Sequence, residues 1–331
     1  MKNIKLLKNI KIFKNHKYKV YKLLIIIIMI IFIIFLYKIS INMNNIINNV
    51  KVCVCTLGKL ENRYIREFVE HYLKYGVDKI ILYDNNDDDG EKFEEVINDY
   101  IKNNFVEIIN YRSKKGALFE IMNDCYIKNY KKYDWFIFYQ IDEFIYLKNY
   151  KNIKLYLSND RFKNCETIQL NWLVRTDNNL LYYENKTLKE RFTQKEKKAL
   201  GKKEGIKQQV KSIMRGNISN ITINNSHYLS RQLKNCNGFG KPQILFGLKA
   251  PIADFYYYYI DHYYSKSTEE FINKLNKGDA YFKDDIKNIL NRISYYFYIN
   301  EITEKKIEFI ENKTGLNLSI YRNKIGQIKL Y

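Results

Sequence analysis

An apolar run, Trp135–Ile141 (WFIFYQI), stops at Asp142-Glu143-Phe144, leaving two adjacent acids at the edge of what reads as a hydrophobic strand. Acids in such a place have two uses. They can hold a hard cation such as Mg2+ or Mn2+ together with substrate phosphate oxygens, or they can cap a helix or pair with a core lysine. Asp84 poses a similar choice in Asp84-Asn85-Asn86-Asp87-Asp88-Asp89-Gly90. A carboxylate at a strand tip can accept hydrogen bonds from a base or ribose, or it can cap the helix that follows. For Asp87–Asp89 the solvated cap is the simpler reading. Thr56 to Arg63, including Glu61, forms a polar turn leading into a helix and is suited to receive part of a nucleotide. His262 follows a tyrosine-rich strand pattern (Phe255–Ile260) and precedes a helix, where it can contact a ligand or phosphate or simply pack. His71 lies beside the apolar face of the first helix and reads as packing, His16 falls in a basic arm, and His227 has no assigned role. No G-x-x-x-x-G-K-[ST] and no G-x-G-x-x-G is present, which excludes the usual P-loop and dinucleotide fingerprints. Asn237-Gly238-Phe239-Gly240-Lys241 reads as a loop.

These residues need a frame, and the pattern from Val50 onward supplies one. Strands are expected at Val50–Thr56, Lys79–Tyr83 and Val106–Asn110, with helices at Asn62–Tyr75, Glu91–Asn103 and Gly116–Tyr130 between and after them. In the first helix Tyr64, Ile65, Phe68, Val69, Tyr72 and Leu73 share a face, and Gly76 supplies the stop. The run Trp135–Ile141 suits a central strand covered on both faces. Alternation of this kind predicts an α/β fold with a mostly parallel, Rossmann-like sheet flanked by helices. In such a sheet ligands bind beyond the carboxyl ends of the strands, where the acids above lie. Further on, a strand at Thr167–Val174, a basic stretch at Lys186–Lys211 and helices at Thr268–Asn276 and Glu301–Thr314 are expected, with no internal repeat.

The chain of 331 residues is 46% hydrophobic, has 31 Tyr and 19 Phe but only 2 Pro and 13 Gly, and so has ample material for a packed core. Its formal net charge is +20, of which nine lysines between positions 1 and 40 supply +9 with no acid among them. This arm (1–19) runs into Leu23–Tyr37, an unbroken apolar segment that, extended over 20–41, approaches the roughly 20 residues needed to cross a bilayer. No amphipathic stripe and no small-residue cleavage signal are present, so a retained anchor is expected rather than a buried helix or a cleaved leader. Eight lysines before the segment predict a single pass with the N-terminus cytosolic and the folded domain lumenal or extracytoplasmic. Residues 42–49 (NMNNIINN) read as a tether. With that charge assigned to a lipid bilayer and no reader module present, nucleic acid is not an expected partner. Cys53, Cys55, Cys125, Cys165 and Cys236 form no CxxC pair and are expected as buried free thiols. Six Asn-x-Ser/Thr triplets begin at Asn185, Asn217, Asn220, Asn224, Asn312 and Asn317, as a lumenal domain allows and as an Asn-rich chain produces by chance.

Four segments, in order, resemble the membrane-anchored glycosyltransferases of family 92 and related family-2-like enzymes of GT-A fold. They are Lys59-Leu60-Glu61-Asn62-Arg63 continuing to Tyr75-Gly76-Val77-Asp78, then Leu82-Tyr83-Asp84-Asn85-Asn86, then Gln140-Ile141-Asp142-Glu143-Phe144, and His262-Tyr263-Tyr264-Ser265-Lys266-Ser267-Thr268-Glu269-Glu270-Phe271 continuing to Lys274. The third matches a D-x-D-E-F metal motif, with Gln140 where the first acid usually stands. The resemblance implies a GT-A domain over 50–280, with 281–331 as a C-terminal helical extension. It also implies metal-assisted transfer of a sugar, with inversion, from a UDP-type nucleotide sugar to a hydroxyl of a glycan or glycoconjugate acceptor. In that scheme Mn2+ or Mg2+ sits on Asp142 and His262, Asp84 faces the uridine or ribose, Glu61 belongs to the nucleotide-receiving turn, and Lys266 faces the departing phosphate. Asp177 and Glu143 are the candidates for the base. Trp172 either stacks on a sugar or belongs to the core, and the basic stretch is either a solvated loop or a holder of acidic groups. Gln140 also motivates a different class, a tethered binding protein of the same fold that does no chemistry.

Overall fold

The computed structural model describes residues 2–196, 208–245, 249–250, 253–278 and 286–325, in two compact units, 1–49 and 50–331. The first unit is a single helix, α1 (Lys2–Asn49), in which Tyr21–Asn45 is long and apolar enough to cross a membrane and keeps none of its surface buried. At 1.5 Å per residue those 25 residues extend about 37 Å, which exceeds a hydrocarbon core of about 30 Å. Residues 42–49, expected as an irregular tether, continue the helix instead. Asn is a poor helix former but not a breaker, and no Gly or Pro interrupts the segment.

The second unit carries the expected α/β architecture. Its first half reads β1 (Val52–Gly58), α2 (Asn62–Lys74), β2 (Lys79–Asp84), α3 (Glu94–Lys102), β3 (Val106–Asn110), α4 (Leu118–Asn129), β4 (Trp135–Ile137) and β5 (Glu143–Leu147). After a short α5 (Ile153–Leu157) come β6 (Thr167–Val174), α6 (Leu188–Arg191), β7 (Gln208–Arg215), β8 (Asn235–Asn237), β9 (Lys249–Ala250) and β10 (Tyr258–His262). Four helices close the order: α7 (Thr268–Asn276), α8 (Ile286–Ile299), α9 (Glu304–Thr314) and α10 (Ser319–Arg322). The sheet runs β3-β2-β1-β4-β7-β6-β10-β5, with β8 beside β6 and β9 beside β7. β1, β2, β3 and β4 are mutually parallel, β6 is parallel to β10, and β7 and β5 run against their neighbours.

Side-chain alternation along β1 shows how the sheet separates two cores. Val52 and Val54 face α2, packing with Ile65, Phe68 and Tyr72. Cys53 and Cys55 face α4, with Met122, Cys125 and Tyr126. Two further features depart from expectation. Cys55–Cys125 and Cys165–Cys236 are disulfides, and only Cys53 is the buried free thiol expected of all five. The pairings join residues 70 and 71 positions apart, which no local spacing could announce. The apolar run Trp135–Ile141 is not one strand, because β4 ends at Ile137. The chain then turns at Gln140–Glu143, where the Glu143 amide donates to the Gln140 carbonyl (2.9 Å) and the Glu143 carboxylate accepts the Gln140 amide (2.9 Å).

Beyond 280 the helices are not separate from what precedes them. Phe271, Ile272 and Leu275 of α7 share a third core with Ile293, Tyr296 and Phe297 of α8 and with Ile307 and Ile310 of α9. At Gly216 the chain passes so close to its neighbour that an added Cβ would lie 1.9 Å from the Tyr133 carbonyl oxygen. Gly76, the expected helix stop, has φ +79° and sits against Asn152.

Candidate functional site

Because β1, β2, β4, β6 and β10 run in one direction and β5 and β7 in the other, the ends of the former and the beginnings of the latter lie along one edge of the sheet. A cavity of about 1060 Å3 opens there. Leu57 approaches it from the end of β1, Asn85 from beyond β2, Asp142 from the turn after β4, Trp172 from β6, Lys211 from β7 and His262 from β10, with Lys274 of α7, Lys277 just after it, and Arg292 and Tyr295 of α8. Among the described lining residues seven Lys or Arg face three carboxylates. The surplus is positive and suits an anionic ligand such as a diphosphate.

Asp142 and His262 line the cavity and Glu143 is buried behind them, and one ligand atom from each of the three lies within 4.8 Å of the others. Asp142 Oδ2 accepts a hydrogen bond from Lys274 Nζ at 2.7 Å, whereas Asp142 Oδ1, 3.6 Å from His262 Nε2, has no hydrogen-bond partner. Neither ring nitrogen of His262 has one, and neither does Glu143 Oε1, which stands 3.3 Å from Lys211 Nζ. Buried polar atoms are normally satisfied, so several in one place without a hydrogen-bond partner suit a positively charged ligand. Burial pushes the Asp142 carboxyl up, but the ammonium groups of Lys274, which also hydrogen-bonds it, and Lys266 hold it well below the usual carboxylate range. Burial pushes Glu143 up to about 7, opposed by Lys211. The same desolvation drives His262 down to about 3 despite Asp142, so its imidazole is neutral and keeps a lone pair. Two oxygens and one neutral nitrogen fit a divalent cation such as Mn2+ or Mg2+.

The remaining expected residues divide. Glu61 lines the cavity at the start of α2 and is ion-paired with Lys277 and, at 3.7 Å, with Lys266. Lys266 lies behind Glu61, buried against the Tyr64 ring (4.0 Å to its centroid), so the cation that meets Asp142 is Lys274. Asp84 does not line the cavity. Its Oδ1 accepts the backbone and side-chain nitrogens of Asn86 (3.0 and 2.7 Å), and its Oδ2 takes the Arg112 guanidinium (2.7–2.8 Å). Those contacts hold the turn and leave Asp84 little to offer a ribose. Neither acid expected as the base is suitably placed. Asp177 is buried in a separate pocket, bound by Lys306 Nζ (2.7 Å) and the Tyr296 hydroxyl (2.6 Å). Glu143 faces the cation cluster rather than the cavity.

The basic stretch is solvated only in part where it is described: Lys186 and Lys189 are exposed, as a solvated loop requires, while other members are buried. Arg191 is fully buried and grips Glu270 with two hydrogen bonds (2.6 and 3.0 Å), and Lys211 is buried in β7; residues 197–207 fall outside the described ones. Much of the fourth signature segment therefore builds rather than reacts. Ser267 and Glu270 form a capping box at the start of α7, and Glu270 also accepts the Tyr64 hydroxyl (2.6 Å), which ties α7 to α2. The box sets the helix axis along which Lys274 reaches Asp142. Trp172 lines the cavity in contact with two imidazoles, with ring centroids 4.2 Å from His262 and 5.0 Å from His227. Lys274 was visible in the signature without an assigned role, and for His227 the sequence carried no signal.

The family model for Glycosyltransferase family 92 matches residues 48–294. A family 92 protein of Oryza sativa subsp. japonica is 27% identical over 113 residues, a stretch covering 33% of this chain and 18% of the rice protein. Among solved structures, residues 1–349 of S. aureus TarS in complex with UDP-GlcNAc align at 11% identity with a TM-score of 0.38, over 85% of this chain and 77% of that one. The UDP complex of the same fragment aligns at 12% identity with a TM-score of 0.35, over 85% and 76%.

Proposed function

Since the chain belongs to glycosyltransferase family 92, whose GT-A architecture its sheet follows, we propose that it transfers a sugar from a UDP-linked donor to a hydroxyl of a glycan or glycoconjugate acceptor, with inversion. The observation that carries this reading is the group of buried ligand atoms without a hydrogen-bond partner on Asp142 and His262, which line a cation-rich cavity, and on Glu143 behind them. Those residues would hold Mn2+ or Mg2+, and such an ion would neutralise charge developing on a diphosphate leaving group. Lys274 and Lys277 add fixed positive charge beside it, and Trp172 offers a flat face to a sugar ring. The domain is anchored by α1 as a single-pass protein with its N-terminus cytosolic. Two disulfides support an oxidising compartment for residues 50–331.

Full-length protein in detergent, melted with UDP-galactose, UDP-glucose and UDP-GlcNAc with and without Mn2+, tests the reading. A donor should raise the melting temperature in a Mn2+-dependent way and be turned over. Asp142→Asn should remove the Mn2+ dependence and slow turnover on the order of 100-fold. A variant that keeps both refutes the cation assignment. The second reading, a tethered binding protein without chemistry, draws on Gln140 and on the Lys274 ammonium already held by Asp142. Donor binding with no turnover under any condition would favour it.

A further inference from the structure

Transfer to a hydroxyl also needs a group to take its proton. Among the described cavity-lining residues each of the three carboxylates is ion-paired with lysine, Glu61 with Lys277 and Lys266, Asp87 with Lys59 (2.8 Å) and Asp142 with Lys274, and a lysine partner makes a carboxylate a weaker base. His262 belongs to the cation cluster. We propose that His227 is the catalytic base, an inference that rests on the glycosyl-transfer reading above.

The geometry prepares His227 for one task. Its amide donates to Asn225 Oδ1 (2.8 Å), its carbonyl accepts the Ser212 hydroxyl (2.6 Å), and its ring packs edge-on against Trp172. Backbone and ring are therefore both held in place. Ring Nδ1 lies 2.8 Å from the Val210 carbonyl oxygen, which can only accept, so Nδ1 carries the hydrogen and the neutral ring presents its lone pair on Nε2. Burial, reinforced by Lys211, keeps the ring neutral by pushing it down to about 4. Nε2 has no hydrogen-bond partner among the described residues and is not among their buried orphan atoms, so it remains open to the cavity that His227 lines. Both this ring and His262 pack against the Trp172 indole, with centroids 5.0 and 4.2 Å from it, which brings base and cation cluster to one side chain.

In the step, the acceptor oxygen forms a bond to the donor's anomeric carbon while its proton passes to His227 Nε2. The bond from that carbon to the phosphate oxygen breaks, and its electron pair leaves on the nucleoside diphosphate. Each atom and charge is accounted for, and the imidazolium later returns its proton to solvent.

The test uses full-length protein with the three UDP-sugars as donors and p-nitrophenyl β-galactoside, β-glucoside and β-N-acetylglucosaminide as acceptors. His227→Ala and His227→Gln should fold, keep the UDP-induced rise in melting temperature, and transfer about 100-fold or more slowly. Added imidazole should restore transfer to His227→Ala, which a purely structural role would not produce. The proposal is overturned if either variant transfers within fivefold of wild type, if the UDP-induced rise is lost, or if imidazole rescues nothing. Absence of turnover in the wild-type protein would instead defeat the glycosyl-transfer reading, and it is seen before any variant is made.

Discussion

Replacing Glu270 by Gln removes one negative charge from a buried junction while leaving the side chain's shape. In the native protein that carboxylate accepts two hydrogen bonds from Arg191, one from the Tyr64 hydroxyl and one from the Ser267 amide (3.0 Å). Burial raises its pKa, but the bonds from Arg191, Ser267 and Tyr64 outweigh this and lower it to about 2 from an ordinary 4.5. At about 1.4 kcal/mol per unit, the charged form contributes about 3 kcal/mol to folding. The folded pKa is depressed, so this contribution is complete above the unfolded value near 4.5 and disappears as pH falls toward 2. Glu270→Gln should therefore melt roughly 6–12 °C below wild type at pH 7. The two proteins should converge as pH approaches 2, where wild type carries a neutral acid at the same position. The assay is a pair of thermal melts across pH in detergent, read by circular dichroism of the folded domain. Equal melting temperatures at neutral pH, or a gap that persists undiminished at low pH, would refute the assignment of stability to this pair. Because α7 also carries Lys274, the variant should weaken Mn2+-dependent donor binding as well.

Alkylation followed by intact mass should find one reactive thiol, Cys53, in the unfolded, unreduced protein and none in the folded one; several labelled thiols before reduction would contradict the two disulfides. Cys55→Ser with Cys125→Ser should cost about 2–4 kcal/mol in a denaturant melt, since a 70-residue separation is closed by that bond. In sealed vesicles, protease added outside should leave the domain intact if it lies in the lumen, and cleavage without detergent would reverse the orientation read from the lysine arm.

Much of the fold was legible because local periodicity carries it. β3 and β6 fall where the alternation places them, and α2 buries Tyr64, Ile65, Phe68, Val69 and Tyr72 as its spacing requires, although Leu73 is exposed. The segment Trp135–Ile141 misled because an apolar run cannot show that the Gln140 amide will be captured by Glu143 three residues on, which ends β4 early. Of the site, Asp142, His262 and Glu61 were visible as polar residues at element boundaries. Asp84 and Asp177 looked equivalent to them, and they differ only in their partners: Arg112, 28 positions from Asp84, and Lys306, 129 positions from Asp177.

By itself the sequence determined the type and order of most elements, the apolar helix near the N-terminus and the residues that carry the family likeness. Each is a property of neighbours along the chain, where hydrophobic spacing and end signals act over a few residues. Only the tertiary structure decided which cysteines join, which lysine meets Asp142, and that His227 and His262 pack against the same indole, Trp172. Those outcomes depend on strand order and on the direction of β7 against β4 and β6, which bring the start of one strand to the ends of others.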